Sequence, residues 1–245
     1  LLNLFRKHPQ IPSYGTLALD LHSHLLPGID DGAKDVGHSL ALIRRLQGMG
    51  FTRLFTTPHI MADMYPNTPE IIREKLTEVR AAMKEVGLNI PIGAAAEYLM
   101  DEAFGEKIKT GSLLTLPGNR VLVEMSFVSA PPNLGQHIFQ LQTKGYKVLL
   151  AHPERYLFFR DNFKKYKELK DRGVEFQLNL LSLVGYYGKP TQDNAKALLK
   201  AGMIDYLGSD LHHERHADNL ERLLADRKLN RLLGKYLPGM KNAEI

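Results

Sequence analysis

The chain contains no cysteine. Disulfides, thiolate metal sites and every mechanism that passes through a cysteinyl intermediate are thereby excluded. It also lacks any run of about 18 uninterrupted apolar residues, the length a membrane-crossing helix needs. Leu1 to Phe5 is too short for a signal-peptide core and has no usual cleavage pattern after it. The expectation is a soluble, cytoplasmic protein that is not embedded in a membrane. No internal repeat or low-complexity linker divides the sequence, and Pro131-Pro132 reads as a turn rather than a boundary. The 245 residues are therefore expected to form an amino-terminal arm over residues 1–15 and one domain over residues 16–245. A concentrated basic run and a stacking platform are missing too, which argues against nucleic acid as a partner. The net charge of +5 is spread along the chain and says little by itself.

What is present is alternation. Short runs rich in Val, Leu, Ile and Phe are separated by longer helical patterns, the form taken by repeated β/α units around a parallel sheet. Seven strands are expected: Thr16 to Leu21, Arg53 to Thr57, Pro91 to Ala96, Arg120 to Val123, Lys147 to Ala151, Val174 to Leu178 and Tyr206 to Ser209. Each is short and mostly apolar, as a strand buried on both faces should be. Helices are expected at Val36 to Met49, with Leu40, Ile43 and Leu46 at helical spacing, and at Pro69 to Val86, with Thr68 as N-cap, Pro69 in the first turn and Gly87 past the end. Further helices fall at Leu134 to Thr143, Asn162 to Arg172, Thr191 to Ala201 and Ala217 to Leu233, while Asp101 to Pro117 reads as a short helix and loop over the barrel mouth.

Metal-binding residue types recur where these strands end, the face on which barrel enzymes build their sites. Strand one runs into Asp20-Leu21-His22-Ser23-His24, and in an extended segment residues two apart point the same way, so His22 and His24 can converge on one ion. Strand two leads to His59, strand three to Glu97, strand four to Glu124, strand five to His152, and strand seven to Asp210 and His212; Asp30 and Asp31 lie in the loop after the His pair. Taken singly, His59 or His152 is more simply a hydrogen-bonded histidine, Glu97 and Glu124 are rim residues in ion pairs, and Asp210 is a helix cap. Buried carboxylates converging at one mouth, however, require cations or protons. His8, His38, His137, His213 and His216 fall in the arm, in helices or in loops; they receive no ligand role, and solvent exposure is expected for them.

The chain resembles the polymerase-and-histidinol-phosphatase (PHP) superfamily, and within it the bacterial capsule-biosynthesis manganese-dependent protein-tyrosine phosphatases. The likeness is carried by Asp20-Leu21-His22-Ser23-His24-Leu25-Leu26-Pro27-Gly28-Ile29-Asp30-Asp31-Gly32, Thr57-Pro58-His59, Ala151-His152-Pro153-Glu154-Arg155-Tyr156 and Ser209-Asp210-Leu211-His212, in order along nearly the whole chain. It implies an α/β fold with a distorted seven-stranded (β/α)7 barrel and a site with up to three divalent metal ions. The implied ligands are His22, His24, Asp31, His59, Glu97, Glu124, His152, Asp210 and His212. It also implies that Arg155 holds the substrate phosphate, a task suited to a planar guanidinium fork. A second phosphate-binding arginine in that family follows the last ligand pair; Arg215 is the candidate, at a shorter spacing from His212 than the pattern has. Two features depart from the pattern: Ala94-Ala95-Ala96 precede Glu97 where relatives often carry glycine, and the arm is longer than in many relatives.

The resemblance thus implies hydrolysis of phosphotyrosine, with the tail of an exopolysaccharide or capsule tyrosine autokinase as partner. In the mechanism this suggests, ions held by His22, His24, Glu97, Glu124, His152 and Asp210 lower the pKa of water to give hydroxide near neutral pH. A third ion, held by Asp31, His59 and His212, joins Arg155 at the non-bridging oxygens. No clear general acid stands out, which is compatible with an aryl leaving group, since a phenol has a pKa of roughly 10. Oxygen and nitrogen donors without sulfur suit Mn, Fe, Zn, Co or Mg, with Mn favoured by the resemblance. Competing readings are a small-molecule phosphomonoesterase such as a histidinol phosphatase, an amidohydrolase, and a non-enzymatic kinase-binding barrel. Against the amidohydrolases stand Glu124 in place of a carbamylatable lysine and seven strands rather than eight.

Overall fold

Apolar residues occupy both parities of the central strands, so each strand must be covered on both faces, and the chain does this with helices on one side and its own side chains on the other. The computed structural model describes residues 11–111, 113–160 and 162–245. Its strands are β1 (Leu19–Asp20), β2 (Arg53–Thr56), β3 (His59–Ile60), β4 (Ile92–Ala94), β5 (Glu97–Leu99), β6 (Arg120–Glu124), β7 (Lys147–Ala151), β8 (Glu175–Asn179) and β9 (Tyr206–Gly208). The helices are α1 (Val36–Gly48), α2 (Pro69–Glu85), α3 (Phe104–Thr110), α4 (Leu134–Thr143), α5 (Leu157–Arg160), α6 (Phe163–Asp171), α7 (Leu180–Leu183), α8 (Lys189–Lys200), α9 (Glu214–Ala225) and α10 (Arg227–Tyr236). None is long and apolar enough to cross a membrane.

All strand pairings are parallel, in two sheets ordered β1-β2-β4 and β3-β5-β6-β7-β8-β9. The expected count of seven strands becomes nine among the described residues, because two passes of the chain are interrupted. Thr57-Pro58 separates β2 from β3, and Pro58 has no N–H for a ladder; Ala95-Ala96 separates β4 from β5. Backbone hydrogen bonds keep these passes aligned across the gaps, from Ala95 N–H to Thr56 O (2.9 Å) and from Glu97 N–H to Pro58 O (3.1 Å). Beyond β1 and β9 the chain pairs again, through a parallel bridge of Ser23 with Leu211 and the bond from His24 N–H to Leu211 O, 2.9 Å.

Side-chain parity sorts the core. Val121, Val123, Val148, Leu150, Phe176 and Leu178 belong to the large cluster shared with the helices, whereas Leu122, Leu149, Ala151 and Tyr206 join Leu19, Leu21, Ala95 and Leu116 in a smaller cluster on the opposite face. Glu97, Glu124 and Asp210 lie an even number of residues beyond Ala95, Leu122 and Tyr206, so they inherit the direction of that smaller cluster and stand above it at the carboxyl ends of the strands.

Several boundaries differ from expectation for local reasons. Strand one is only Leu19–Asp20, because Tyr14–Thr16 forms a 3-10 turn capped by Ser13 and Ala18 has a left-handed φ of 60°. The helix expected at Ala217 to Leu233 is two helices, broken where Asp226 adopts an extended ψ and its carboxylate accepts from the N–H groups of Lys228 and Leu229. α3 does not cover the mouth: Phe104 and Ile108 bury it in the large cluster beside α4. The end of α2 matches its signals, with Thr68 Oγ accepting from Ile71 N–H, Pro69 in the first turn and Gly87 at φ 66°. Of the expected arm, residues 1–10, His8 included, lie outside the described residues.

Candidate metal centre

Every expected ligand is brought to the same place. Glu97, fully buried, sits in the middle: its Oε2 is 3.1 Å from His22 Nε2, 3.5 Å from His24 Nε2 and 3.2 Å from His59 Nδ1, and its Oε1 is 3.0 Å from His152 Nε2. Asp210 Oδ1 lies 3.3 Å from His22 Nε2 and 3.4 Å from His24 Nε2. Asp31, the exposed member, has Oδ1 3.5 Å from His59 Nε2 and 3.4 Å from His212 Nε2. Three sets therefore have donor atoms within 4.8 Å of one another: His24, Asp31, His59 and His212; His22, His24, Glu97 and Asp210; and His59, Glu97 and Glu124.

The backbone is bent to achieve this. His152 (φ 34°) and Asp210 (φ 50°) both occupy the left-handed region just past their strands, a conformation that costs a non-glycine residue roughly 1–3 kcal/mol. For His152 the consequence is direct: it follows the inward Ala151, and a continuing strand would have turned it outward. Beneath the imidazoles only glycine fits at position 208, where a Cβ would meet Gln177 Nε2 at 2.6 Å and His22 Cβ at 2.8 Å.

The donors fit cations better than they fit one another. His59 Nδ1 and Glu124 Oε1 are 2.9 Å apart yet neither makes a hydrogen bond, as expected when both lone pairs are aimed at a third point. His22 Nε2 and His24 Nε2 face each other at 3.4 Å, an arrangement that a shared positive ion or a proton must reconcile. Burial by itself would lower the pKa of His22, but the Glu97 and Asp210 carboxylates outweigh it and hold the imidazole well above its usual range. His24 is raised in the same way, against burial, chiefly by Asp30 and with help from Asp210 and Glu97. Conversely, burial would raise Glu97, but His22 and His59 hold it well below the ordinary carboxyl range.

Four participating residues are absent from the sequence-based set. Asp30 Oδ2 accepts from His24 Nδ1 at 2.8 Å and from His59 N–H at 3.2 Å, and Gln177 Oε1 takes the Nδ1 of His22 at 2.7 Å, so each histidine presents its other nitrogen to the centre. Gln177 left a signal, a polar residue inside an apolar strand; Asp30 stood beside Asp31 in the same loop, and two equally acidic neighbours gave no ground for assigning them different roles. Phe127 and Tyr187 enclose the Arg155 guanidinium, whose carbon is 4.3 Å and 4.1 Å from their ring centroids, while Arg155 Nη1 donates to Asp210 Oδ2 at 3.1 Å. Arg215 is exposed on α9 with its guanidinium 5.4 Å from the Tyr186 ring, and it is not among the residues that line the cavity. His137 and His216 are buried rather than exposed, because each falls on the inner face of its helix, His137 against Phe104 and His216 behind His212. His213 lines the cavity and His38 pairs with Glu214 at 3.1 Å.

Asp31, His59, Glu97, Glu124, His152, Arg155, Asp210 and His212 line one cavity of about 590 Å³ together with Met61, Met64, Tyr65, Phe127 and Val128. Comparison with known proteins places the arrangement. The family model described as capsular polysaccharide synthesis, CpsB/CapC, matches residues 18–229. The chain is 29% identical over 230 residues to the tyrosine-protein phosphatase YwqE of Bacillus subtilis, covering 93% of this chain and 90% of that protein. It is 28% identical over 231 residues to the putative tyrosine-protein phosphatase CapC of Staphylococcus aureus, at the same coverages of 93% and 90%. A solved structure from the pair YwqE of Bacillus subtilis and CpsB of Streptococcus pneumoniae, described as unique metal-dependent tyrosine phosphatases, superposes with a TM-score of 0.77 at 26% identity over 91% of this chain and 95% of that chain.

Proposed function

The chain belongs to the capsular polysaccharide synthesis CpsB/CapC family, and from that premise we propose that it is a metal-dependent protein-tyrosine phosphatase whose nine converging side chains hold up to three divalent cations. The observation that carries this reading is the buried Glu97 carboxylate, within 3.5 Å of nitrogens from four histidines that arrive on three separate passes of the chain. Such a group is costly to bury without a cation to share.

In this reading His22, His24, Glu97, Glu124, His152 and Asp210 hold two ions and Asp31, His59 and His212 a third. Bound there, divalent cations lower the pKa of water to yield a nucleophile near neutral pH and neutralise phosphoryl charge. The protein does the rest. Arg155, clamped between Phe127 and Tyr187 and tied to Asp210, binds the non-bridging oxygens with little reorganisation. Carboxylates mixed with imidazoles admit Mn, Fe, Zn, Co and Mg, and among these the family likeness favours Mn. The two parallel sheets read as one distorted seven-pass barrel spanning residues 16–245, closed where Ser23 meets Leu211. The partner is a tyrosine-phosphorylated protein, a bacterial tyrosine autokinase in the first instance, met in the cytoplasm.

The test is turnover of a phosphotyrosyl peptide by protein stripped with a chelator and then reloaded with Mn²⁺. Activity should vanish and return, and His59→Ala should lower the reloaded rate by about a hundredfold or more. Full turnover by the stripped protein, or a preference for histidinol phosphate over the peptide, would reject the assignment.

A further inference from the structure

Eight large apolar side chains are exposed among the described residues. Five of them, Ile71, Val86, Phe139, Leu157 and Phe163, are scattered over or beside helices away from the ligands, as single exposed apolar residues commonly are. The other three, Met64 (68% exposed), Phe127 (48%) and Val128 (86%), line the same cavity as the ligands. Exposed apolar groups gathered at one concave place mark a binding surface.

The banks that carry them are built. Met64 lies within a turn closed by two backbone hydrogen bonds between Met61 and Tyr65 (2.9 and 3.2 Å), and Asp101 anchors that turn through Ala62 N–H at 2.8 Å. On the segment after β6, Val128 N–H donates to Ser126 Oγ at 3.2 Å, and the Phe127 ring is 4.3 Å from the guanidinium of Arg155 and 5.7 Å from the ring of His152. A phosphoryl group lodged between Arg155 and the metal ligands would leave its ester substituent beside Phe127, with Val128 and Met64 further out. Ester and rim then meet face to face.

We infer that Met64, Phe127 and Val128 form the surface that selects aryl over alkyl phosphate esters, an inference that rests on the phosphatase reading above. A phenyl ring offers a flat apolar face that removes apolar surface of this rim from water, whereas a one-carbon substituent offers far less area to bury. The unbranched, polarisable Met64 suits an aromatic edge. Phe127 also packs on Arg155, so the discriminating variant changes the two outer residues and leaves Phe127 in place.

The experiment uses the full chain loaded with Mn²⁺ and two non-hydrolysable probes, phenylphosphonate and methylphosphonate, with dissociation constants from calorimetry. Wild type should bind phenylphosphonate about tenfold or more tightly than methylphosphonate, and the Met64→Ser, Val128→Ser double variant should lose most of that preference through weaker phenylphosphonate binding alone. Both side chains are exposed, so the fold should tolerate the change, which circular dichroism checks. Retention of the preference by the double variant, or equal weakening of both probes, overturns the inference while the phosphatase reading stands. Failure of wild type to bind either probe removes both.

Discussion

The buried histidines divide labour between their two ring nitrogens. In His22 and His24 the Nδ1 is engaged by Gln177 and Asp30, at 2.7 and 2.8 Å, which leaves the Nε2 of each turned toward Glu97 and Asp210. Such outer partners fix the tautomer and ring angle of a ligand and typically matter tenfold to a hundredfold in metal affinity. Asp30→Ala should therefore weaken Mn²⁺ binding by about one to two orders of magnitude with the fold intact, while Asp30→Asn, which keeps an oxygen acceptor, should recover much of the loss. Competition against a chelator of known affinity measures this. Unaltered affinity in the alanine variant would show that His24 is oriented by packing alone.

At the scale of elements, the amino end of β9 is secured by a residue remote from the ligands. The Asp205 carboxylate receives the N–H of Phe176 at 2.8 Å, the ammonium of Lys241 at 2.8 Å and that of Lys170, and so joins β8, α6 and the carboxyl-terminal segment. Burial would raise its pKa, but the hydrogen bonds from Lys170, Lys241 and Phe176 prevail, and the group titrates below the ordinary carboxyl range. A carboxyl depressed in the folded state stabilises fully above its unfolded pKa, near 4, and loses that contribution as pH falls through the lower folded value. Asp205→Asn should cost about 1–2 kcal/mol at neutral pH, a figure discounted for the partly exposed lysines, and the deficit should shrink on acidification. Urea unfolding at several pH values reads this. A deficit independent of pH would assign the loss to packing.

For the whole molecule, the centre couples folding to cations and protons. Six passes of the chain and the loop of Asp31 deliver ligands that are far apart in the sequence, so an ion bound there holds the passes together and raises the unfolding temperature. In the metal-free protein His22 and His24 are held protonated to above the usual imidazole range by Glu97, Asp210 and Asp30. Coordination needs neutral imidazoles and must displace those protons. Adding Mn²⁺ in weak buffer near neutral pH should release protons, and the rise in melting temperature at fixed Mn²⁺ should grow as pH increases. No proton release, or a stabilisation that shrinks toward higher pH, would contradict this coupling.

The sequence by itself determined the strand and helix periods, the capped ends of α2 and the residue types offered at each strand end, because side-chain direction in regular structure follows from spacing alone. It could not decide between Asp30 and Asp31, which differ only in where a loop turns them, nor reveal that Phe127 and Tyr187 enclose Arg155 from segments 60 residues apart. The resemblance offered Arg215 as a second phosphate-binding arginine, and where its side chain lies, exposed on α9 beside Tyr186, is set by the tertiary structure. The tertiary structure alone set the left-handed bends at His152 and Asp210 and the break at Ala95-Ala96. Local propensity opposes a left-handed histidine or aspartate, and only contacts between distant passes supply enough energy to hold one.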